Sequence, residues 1–329
     1  MNYRSVADLN DTIMRNFHRF PTDIDLVVGI PRSGLLPANL IGLTANIPVT
    51  DIDRFVEGKT YGFGSTKHWA GLQTDADSWR RVLVIDDSID SGRSMSEARQ
   101  LIRDRLGDRD SILYGAVYGI PGGHAEADIV LETVPHARVF QWNLLHHKIL
   151  SQSCVDIDGV LCVDPTDEQN DDGAAYEHFL ASAVPLLRVT QKVRYLVTSR
   201  LEKYRRHTEE WLAANQIQYD ELIMLDLPSA QERRRLGIHG SFKADLYRAS
   251  DALLFIESEA SQAAEIARRS GKPVLCVETQ HMLQPDALSV AYLGQNVRTL
   301  TQKARRVSRK GGYRAVLSKA AGLLTGTSK

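Results

Sequence analysis

Short apolar runs closed by turn-forming or acidic residues recur along the chain, with amphipathic stretches between them. In the first half these runs are "DLVVGI" (25–30), "RVLVIDD" (81–87), "ILYGAVYGI" (112–120) and "ARVFQW" (137–142). The second half has "SCVDID" (153–158), "VRYLVTS" (193–199), "ELIMLD" (221–226), "ALLFIES" (252–258) and "PVLCVET" (273–279). They lack polar alternation, the pattern of strands covered on both faces. Between them, "SMSEARQLIRDRL" (94–106), "LEKYRRHTEEWLAAN" (201–215) and "ASQAAEIARRSG" (260–271) predict helices. The alternation predicts an α/β chain of two doubly wound, mainly parallel-sheet Rossmann-like domains in tandem. The pattern restarts near residue 150, so the expected divisions are residues 1–150, 151–286 and a tail at 287–329.

Composition changes this picture little. A length of 329 residues suits two cores, and 43% hydrophobic with 25% charged residues is ordinary for a globular protein. Cys154, Cys162 and Cys276 make an odd count without a C-x-x-C pair, which argues against a disulfide framework or a structural zinc site. The first residues lack an apolar signal core, and no run is long enough to span a bilayer, so a cytoplasmic protein without a membrane span is expected.

Charge adds one feature. The net charge of −1 conceals a tail with no acid after Asp286 and nine Lys and Arg residues from Arg298 onward. A solvated tail, or one docked on the acidic remainder, is the favoured reading, while a nucleic-acid contact stays open. A homo-oligomer is also left open.

Two acidic clusters stand at strand ends, where open α/β sheets bind ligands. In "VLVIDDSIDSGRSM" (82–95) the run ends in Asp86 and Asp87, followed by Asp90, Ser91, Gly92, Arg93 and Ser94. Adjacent carboxylates at a buried strand end are costly unless cations or hydroxyl donors meet them. The amides of residues 90–94, at the start of a helix with Gly92 allowing close approach, suit a phosphate dianion, and the hydroxyls of Ser91 and Ser94 add donors. Asp86 and Asp87 suit the vicinal hydroxyls of a polyol. A sugar phosphate satisfies both halves of the loop.

The second cluster is "SCVDIDGVLC" (153–162), with Asp156 at a strand end, Asp158 two residues on and Gly159 at the bend. A nucleophilic carboxylate beside a second carboxyl acting as acid is a sensible pair for phosphoryl transfer from a dianionic ester.

The first motif resembles the phosphoribosyl-pyrophosphate loop of the type I phosphoribosyltransferases. Within about residues 20–150, "VVGIPRSGLLPA" (27–38) resembles that family's pyrophosphate loop at Arg32, Ser33 and Gly34, with Ser33 in place of a glycine. "EGKTYGFGSTKHWAG" (57–71) lies where the family carries a mobile loop, and "VFQWN" (139–143) resembles its aromatic closing segment. The resemblance implies that Asp86 and Asp87 hold ribose hydroxyls and that residues 90–94 hold the 5-phosphate. It also implies that Mg²⁺ bridges pyrophosphate and ribose oxygens and that Asp90 accepts a proton from the acceptor. The stretch "YGAVYGIPGGHAEADIV" holds no lysine to read a purine oxo group, so the acceptor stays open and need not be a standard base.

The second half resembles the haloacid dehalogenase-like phosphatases. By that resemblance Asp156 is the nucleophile, Asp158 the acid/base, and Thr198 in "YLVTSR" the phosphoryl-binding hydroxyl. Lys243 in "SFKADLY" is preferred to Lys272 as the neutralising lysine. Glu257 stands where an aspartate usually supports Mg²⁺, which gives an expected metal set of Asp156, Asp158 and Glu257, with Glu259 as a second candidate. The gaps from Asp158 to Thr198 and from Thr198 to Lys243 leave no room for a large cap, and "VDPTDEQNDD" (163–172) reads as a short flap or a solvated loop.

The resulting expectation is a bifunctional enzyme. One half transfers phosphoribosyl from phosphoribosyl pyrophosphate to an acceptor, and the other hydrolyses a phosphomonoester. The alternatives are a phosphoribosyl-pyrophosphate sensor with only the phosphatase active, or a nucleic-acid-binding regulator using the basic tail.

Overall fold

A computed structural model of the chain describes residues 1–61, 79–122 and 125–285. The tail at 287–329 and most of the 57–71 segment lie outside the described residues. The chain divides into two units. The first holds residues 1–149 together with 189–191, and the second holds residues 150–188 and 192 onward.

Unit 1 runs β1 (Asn2–Arg4), α1 (Val6–Asn16), β2 (Leu26–Gly29), α2 (Leu35–Ala45), β3 (Val49–Asp51) and α3 (Ile52–Val56). It continues with β4 (Val82–Ser88), α4 (Arg93–Leu106), β5 (Ile112–Gly119), β6 (Ile129–Thr133) and β7 (Arg138–Phe140). Its main sheet is parallel throughout, in the order β3-β2-β4-β5-β6. Side chains alternate across a strand, so each apolar run feeds two cores. Val27, Leu83, Ile85 and Val117 pack with Leu9 and Ile13 of α1 and Ala38 and Ile41 of α2. Their neighbours Leu26, Val28, Val84 and Ala116 pack with Phe55 of α3 and with Met95, Ala98 and Ile102 of α4. The missing polar alternation in the sequence thus has a direct cause: helices cover both faces.

Unit 2 runs β8 (Ser153–Val155), α5 (Ala174–Ser182), β9 (Val193–Leu201), α6 (Arg205–Ala214), β10 (Tyr219–Leu225) and α7 (Ala230–Leu236). It ends with α8 (His239–Ala249), β11 (Leu254–Glu257), α9 (Ala260–Ser270), β12 (Val274–Cys276) and β13 (His281–Leu283). The sheet order is β10-β9-β8-β11-β12-β13, parallel except for the antiparallel β12–β13 pair. Tyr247 of α8 and Ala263, Ile266 and Ala267 of α9 pack on Cys154, Val197, Phe255 and Val274. All three cysteines are free and buried. Among the described residues no helix is long and apolar enough to cross a membrane.

One expected strand has a different place. "ARVFQW" contributes only β7, which pairs in parallel with β1 in a separate two-stranded sheet, and a 3-10 turn takes over from Gln141. The short strands β1, β3, β6 and β13 do not stand out in the hydrophobic pattern.

Candidate functional site

In unit 1 the strand order reverses between β2 and β4, since the chain turns back to β3 on one side and proceeds to β5 on the other. Open parallel sheets take ligands in the crevice beyond the carboxyl ends of the strands at such a reversal. The turn 30–34 and the loop 88–92 both leave strands there. Gly34 is squeezed between them. A Cβ at this position would lie 2.6 Å from the Ile30 carbonyl oxygen and 2.7 Å from that of Ile85, and backbone atoms cannot yield. Ser33 is outside the left-handed region, so a glycine is not required there, and Arg32 is exposed.

The loop after β4 presents donors. Gly92 adopts φ +77° and caps α4, which has no side-chain cap and no acid in its first turn. The Ser96 N–H returns to the Gly92 carbonyl at 2.9 Å, and the Arg93 N–H reaches only the Ser91 Oγ at 3.4 Å. Among the described residues, the N–H groups of Asp90, Ser91, Gly92, Ser94 and Met95 donate to no protein acceptor. The first turn of a helix leaves such donors, and its dipole favours an anion beside them.

The carboxylates before the loop are buried, Asp86 at 9% exposure and Asp87 at 4%. The Asp87 N–H donates to Asp86 Oδ1 at 2.9 Å, and the Trp142 indole Nε1–H donates to Asp87 Oδ2 at 2.8 Å. Trp142 is itself stacked on Phe140, and Phe140 on Tyr118. Burial first, and then the neighbouring Asp87, push the Asp86 carboxyl up to about 8. Neither acid has a protein cation within ion-pair distance among the described residues. Paired oxygen donors without a cation fit vicinal hydroxyls, or a hard divalent ion carried on a substrate's oxygens.

Asp90 is solvent-exposed, with His136 Nε2 at 3.0 Å from its Oδ1. Arg138, buried behind it, donates to the Ile89 carbonyl at 2.9 Å and stands 3.9 Å from Asp90. His136 and Arg138 give no signal in the sequence, since neither belongs to a motif around Asp90.

In unit 2 the order reverses between β8 and β11, and the second cluster lies beyond their ends. Lys243, reaching in from α8, donates from Nζ to Asp156 Oδ2 at 2.7 Å and to Glu257 Oε2 at 2.8 Å. All three side chains are almost wholly buried. Burial disfavours the Lys243 ammonium, but Asp156 and Glu257 outweigh it and hold its pKa above the ordinary lysine value. Burial raises Asp156, with Lys243 opposing and Glu257 and Asp158 adding to the rise. Asp158 faces a different cation. The fully buried Arg200 donates to it from Nη2 at 2.7 Å and from Nε at 3.2 Å, and the Cys162 thiol lies 3.4 Å from its Oδ1.

A cavity of about 370 Å³ opens over this cluster, lined by Asp156, Asp158, Asp164, Tyr176, Ser199, Arg233, His239, Lys243 and Gln262 among others. Ser199 rather than Thr198 lines it. Thr198 is buried, and its Oγ1 accepts from the Arg200 N–H at 3.2 Å. Lys272 instead donates to the backbone carbonyls of Tyr247, Ser250 and Ala252. Part of the 163–172 segment reaches the cavity through Asp164 and Pro165.

The expected metal set of Asp156, Asp158 and Glu257 does not assemble into a cage. Lys243 stands between two of these carboxylates and Arg200 holds the third, and among the described residues no three His, Cys, Asp or Glu side chains are arranged to hold a metal ion. This arrangement does not fit a metal. Arg200 and Arg233 also escape the sequence motifs, although an arginine ending the apolar strand "YLVTSR" is a usable signal.

No protein-family model matches the chain, and no curated protein matches it. Among solved structures it is similar to a xanthine-guanine-hypoxanthine phosphoribosyltransferase from Helicobacter pylori, at 17% identity over 44% of this chain and 97% of that one, with a TM-score of 0.32. A purine phosphoribosyltransferase from Pyrococcus horikoshii is similar at 17% identity over 43% and 95%, with a TM-score of 0.31. A hypoxanthine phosphoribosyltransferase from Trypanosoma cruzi is similar at 13% identity over 40% and 78%, with a TM-score of 0.26.

Proposed function

We propose that the chain is a bifunctional enzyme. Unit 1 transfers a 5-phosphoribosyl group from phosphoribosyl pyrophosphate to an acceptor, and unit 2 hydrolyses a phosphomonoester through an aspartyl-phosphate. The observation that carries the reading of unit 1 is the set of unspent N–H groups of Asp90, Ser91, Gly92, Ser94 and Met95, next to two buried acids at the strand-order reversal. In this reading the amides and the hydroxyls of Ser91 and Ser94 take the 5-phosphate, Asp86 and Asp87 accept from the ribose hydroxyls, and the turn Arg32–Gly34 takes the pyrophosphate. The bond from the anomeric carbon to pyrophosphate breaks as the acceptor's bond forms, so positioning and charge stabilisation carry the rate. Magnesium, bound through substrate oxygens, supplies neutralisation of the leaving pyrophosphate. Asp90, steered by His136, takes the proton that the acceptor releases.

In unit 2, Asp156 attacks phosphorus, the ester oxygen leaves with a proton from Asp158, and water then cleaves the acyl phosphate while Asp158 recovers the proton. Lys243 balances the charge on Asp156, and Arg200 fixes the direction of Asp158.

The test is a screen of Mg²⁺-dependent pyrophosphate release from phosphoribosyl pyrophosphate across nucleobases and small amines. Release with at least one acceptor is expected, lowered roughly 10²- to 10⁴-fold by Asp90→Asn. A chain that binds phosphoribosyl pyrophosphate but releases no pyrophosphate with any acceptor would be a sensor, and the transferase reading would fall.

A further inference from the structure

The cavity of unit 2 contains a cation that the hydrolysis above does not use. Arg233 is 6% exposed and lines the cavity. Its Nη1 donates to the Ser199 carbonyl at 2.8 Å and its Nη2 to Asn170 Oδ1 at 3.1 Å, while its Nε is buried without an acceptor. Among the described residues no carboxylate lies within ion-pair distance of it. The other permanent cations of the site are already matched, Lys243 by Asp156 and Glu257 and Arg200 by Asp158. Burying a guanidinium against neutral partners alone is unfavourable unless an anion joins it. A second unmet polar atom adjoins it, the buried Oγ of Ser199, which also lines the cavity.

The size of the space gives the same indication. About 370 Å³ is at the lower end of small-ligand sites and exceeds what a phosphoryl group alone would fill. The remainder belongs to the leaving group, and Arg233 and Ser199 are lining residues with a buried polar atom that no protein group meets. Resting on the reading of this cavity as a phosphomonoester site, we infer that Arg233 anchors a second oxyanion on the substrate. The preferred substrates are then phosphomonoesters whose leaving group carries a carboxylate or another phosphate, and simple alkyl phosphates are poor ones. Arg suits this role because its planar fork meets carboxylate and phosphate oxygens in pairs.

The test compares two ligands by calorimetric titration of the full-length chain. Ethyl phosphate offers the phosphoryl group alone, and 2-phosphoglycolate adds a carboxylate. The wild type is expected to bind 2-phosphoglycolate at least about tenfold more tightly. Arg233→Met should abolish that advantage while leaving ethyl phosphate unchanged. Arg233→Lys, which retains charge without the fork, should keep part of it and guards against a misfolded first variant. Phosphate binding elsewhere on the chain does not confuse the result, because only the part that depends on Arg233 is read. Equal affinities in the wild type overturn the proposal. An equal weakening of both ligands in Arg233→Met also overturns it, since Arg233 would then be holding the phosphoryl group itself. Failure of both ligands to bind removes the phosphomonoester reading and the proposal with it, an outcome distinct from the other two.

Discussion

Single residues set the energetics of both clusters. Asp86 is a buried acid raised to about 8, so between its unfolded value near 4 and that pH the folded chain holds a proton that the unfolded chain has lost. Its contribution is therefore fully present at low pH and declines as pH rises through 8. Asp86→Asn removes that decline, and its melting temperature should match the wild type near pH 4 and exceed it at pH 9. The gap should be roughly 2–4 °C for each kcal/mol relieved, read by a thermal melt across pH. Lys243→Met works in the opposite direction. It leaves Asp156 and Glu257 buried without their shared ammonium, and a loss of about 3–5 kcal/mol is expected in denaturant titration, partly restored in acid as the carboxyls protonate. The acids themselves were legible in the sequence, because carboxylates that end an apolar run are too costly to bury without something to bind. Their partners were not. Trp142 meets Asp87 across 55 positions and Arg200 meets Asp158 across 42, and no local pattern reports a contact at that separation.

At the scale of elements, the strands that showed plainly were β2, β4, β5, β8, β9, β11 and β12, where near-continuous burial leaves a continuous apolar run, and the edge strand β10, whose apolar Leu222–Leu225 follows an exposed start. β1, β3 and β13 have one buried residue each, so they lack the apolar run that marks the equally short β8 and β12, and β6 is only partly buried. β7 misled because a short apolar run has the same composition whether it joins the main sheet or a side ribbon. The start of α4 illustrates how an element and its chemistry coincide. Gly92 is left-handed there, and a Cβ would also stand 3.1 Å from Glu126 Cγ. Gly92→Ala should cost about 1–2 kcal/mol of stability. It should also weaken inorganic phosphate binding by tilting the free N–H groups, with titration calorimetry as the readout. Unchanged phosphate affinity would separate the loop from the anion.

For the whole molecule, the recurring feature is that each unit has a strand-order reversal with an acid pair beyond it. The two chemistries proposed therefore draw on separate residues, and Asp156→Asn provides the test. Phosphate release from a phosphomonoester should fall by at least about a thousandfold, while pyrophosphate release stays within a factor of two. A joint loss would mean that the division of labour is wrong. The hydrogen bond from the Trp142 indole to Asp87 has a practical consequence at this scale. The chain contains four tryptophans, and one of them has its ring nitrogen tied to an acid at the proposed sugar site. A diol that competes for that oxygen changes the polarity around the emitting ring. Unlabelled protein should therefore report occupancy through its own fluorescence, and Trp142→Phe would silence that signal.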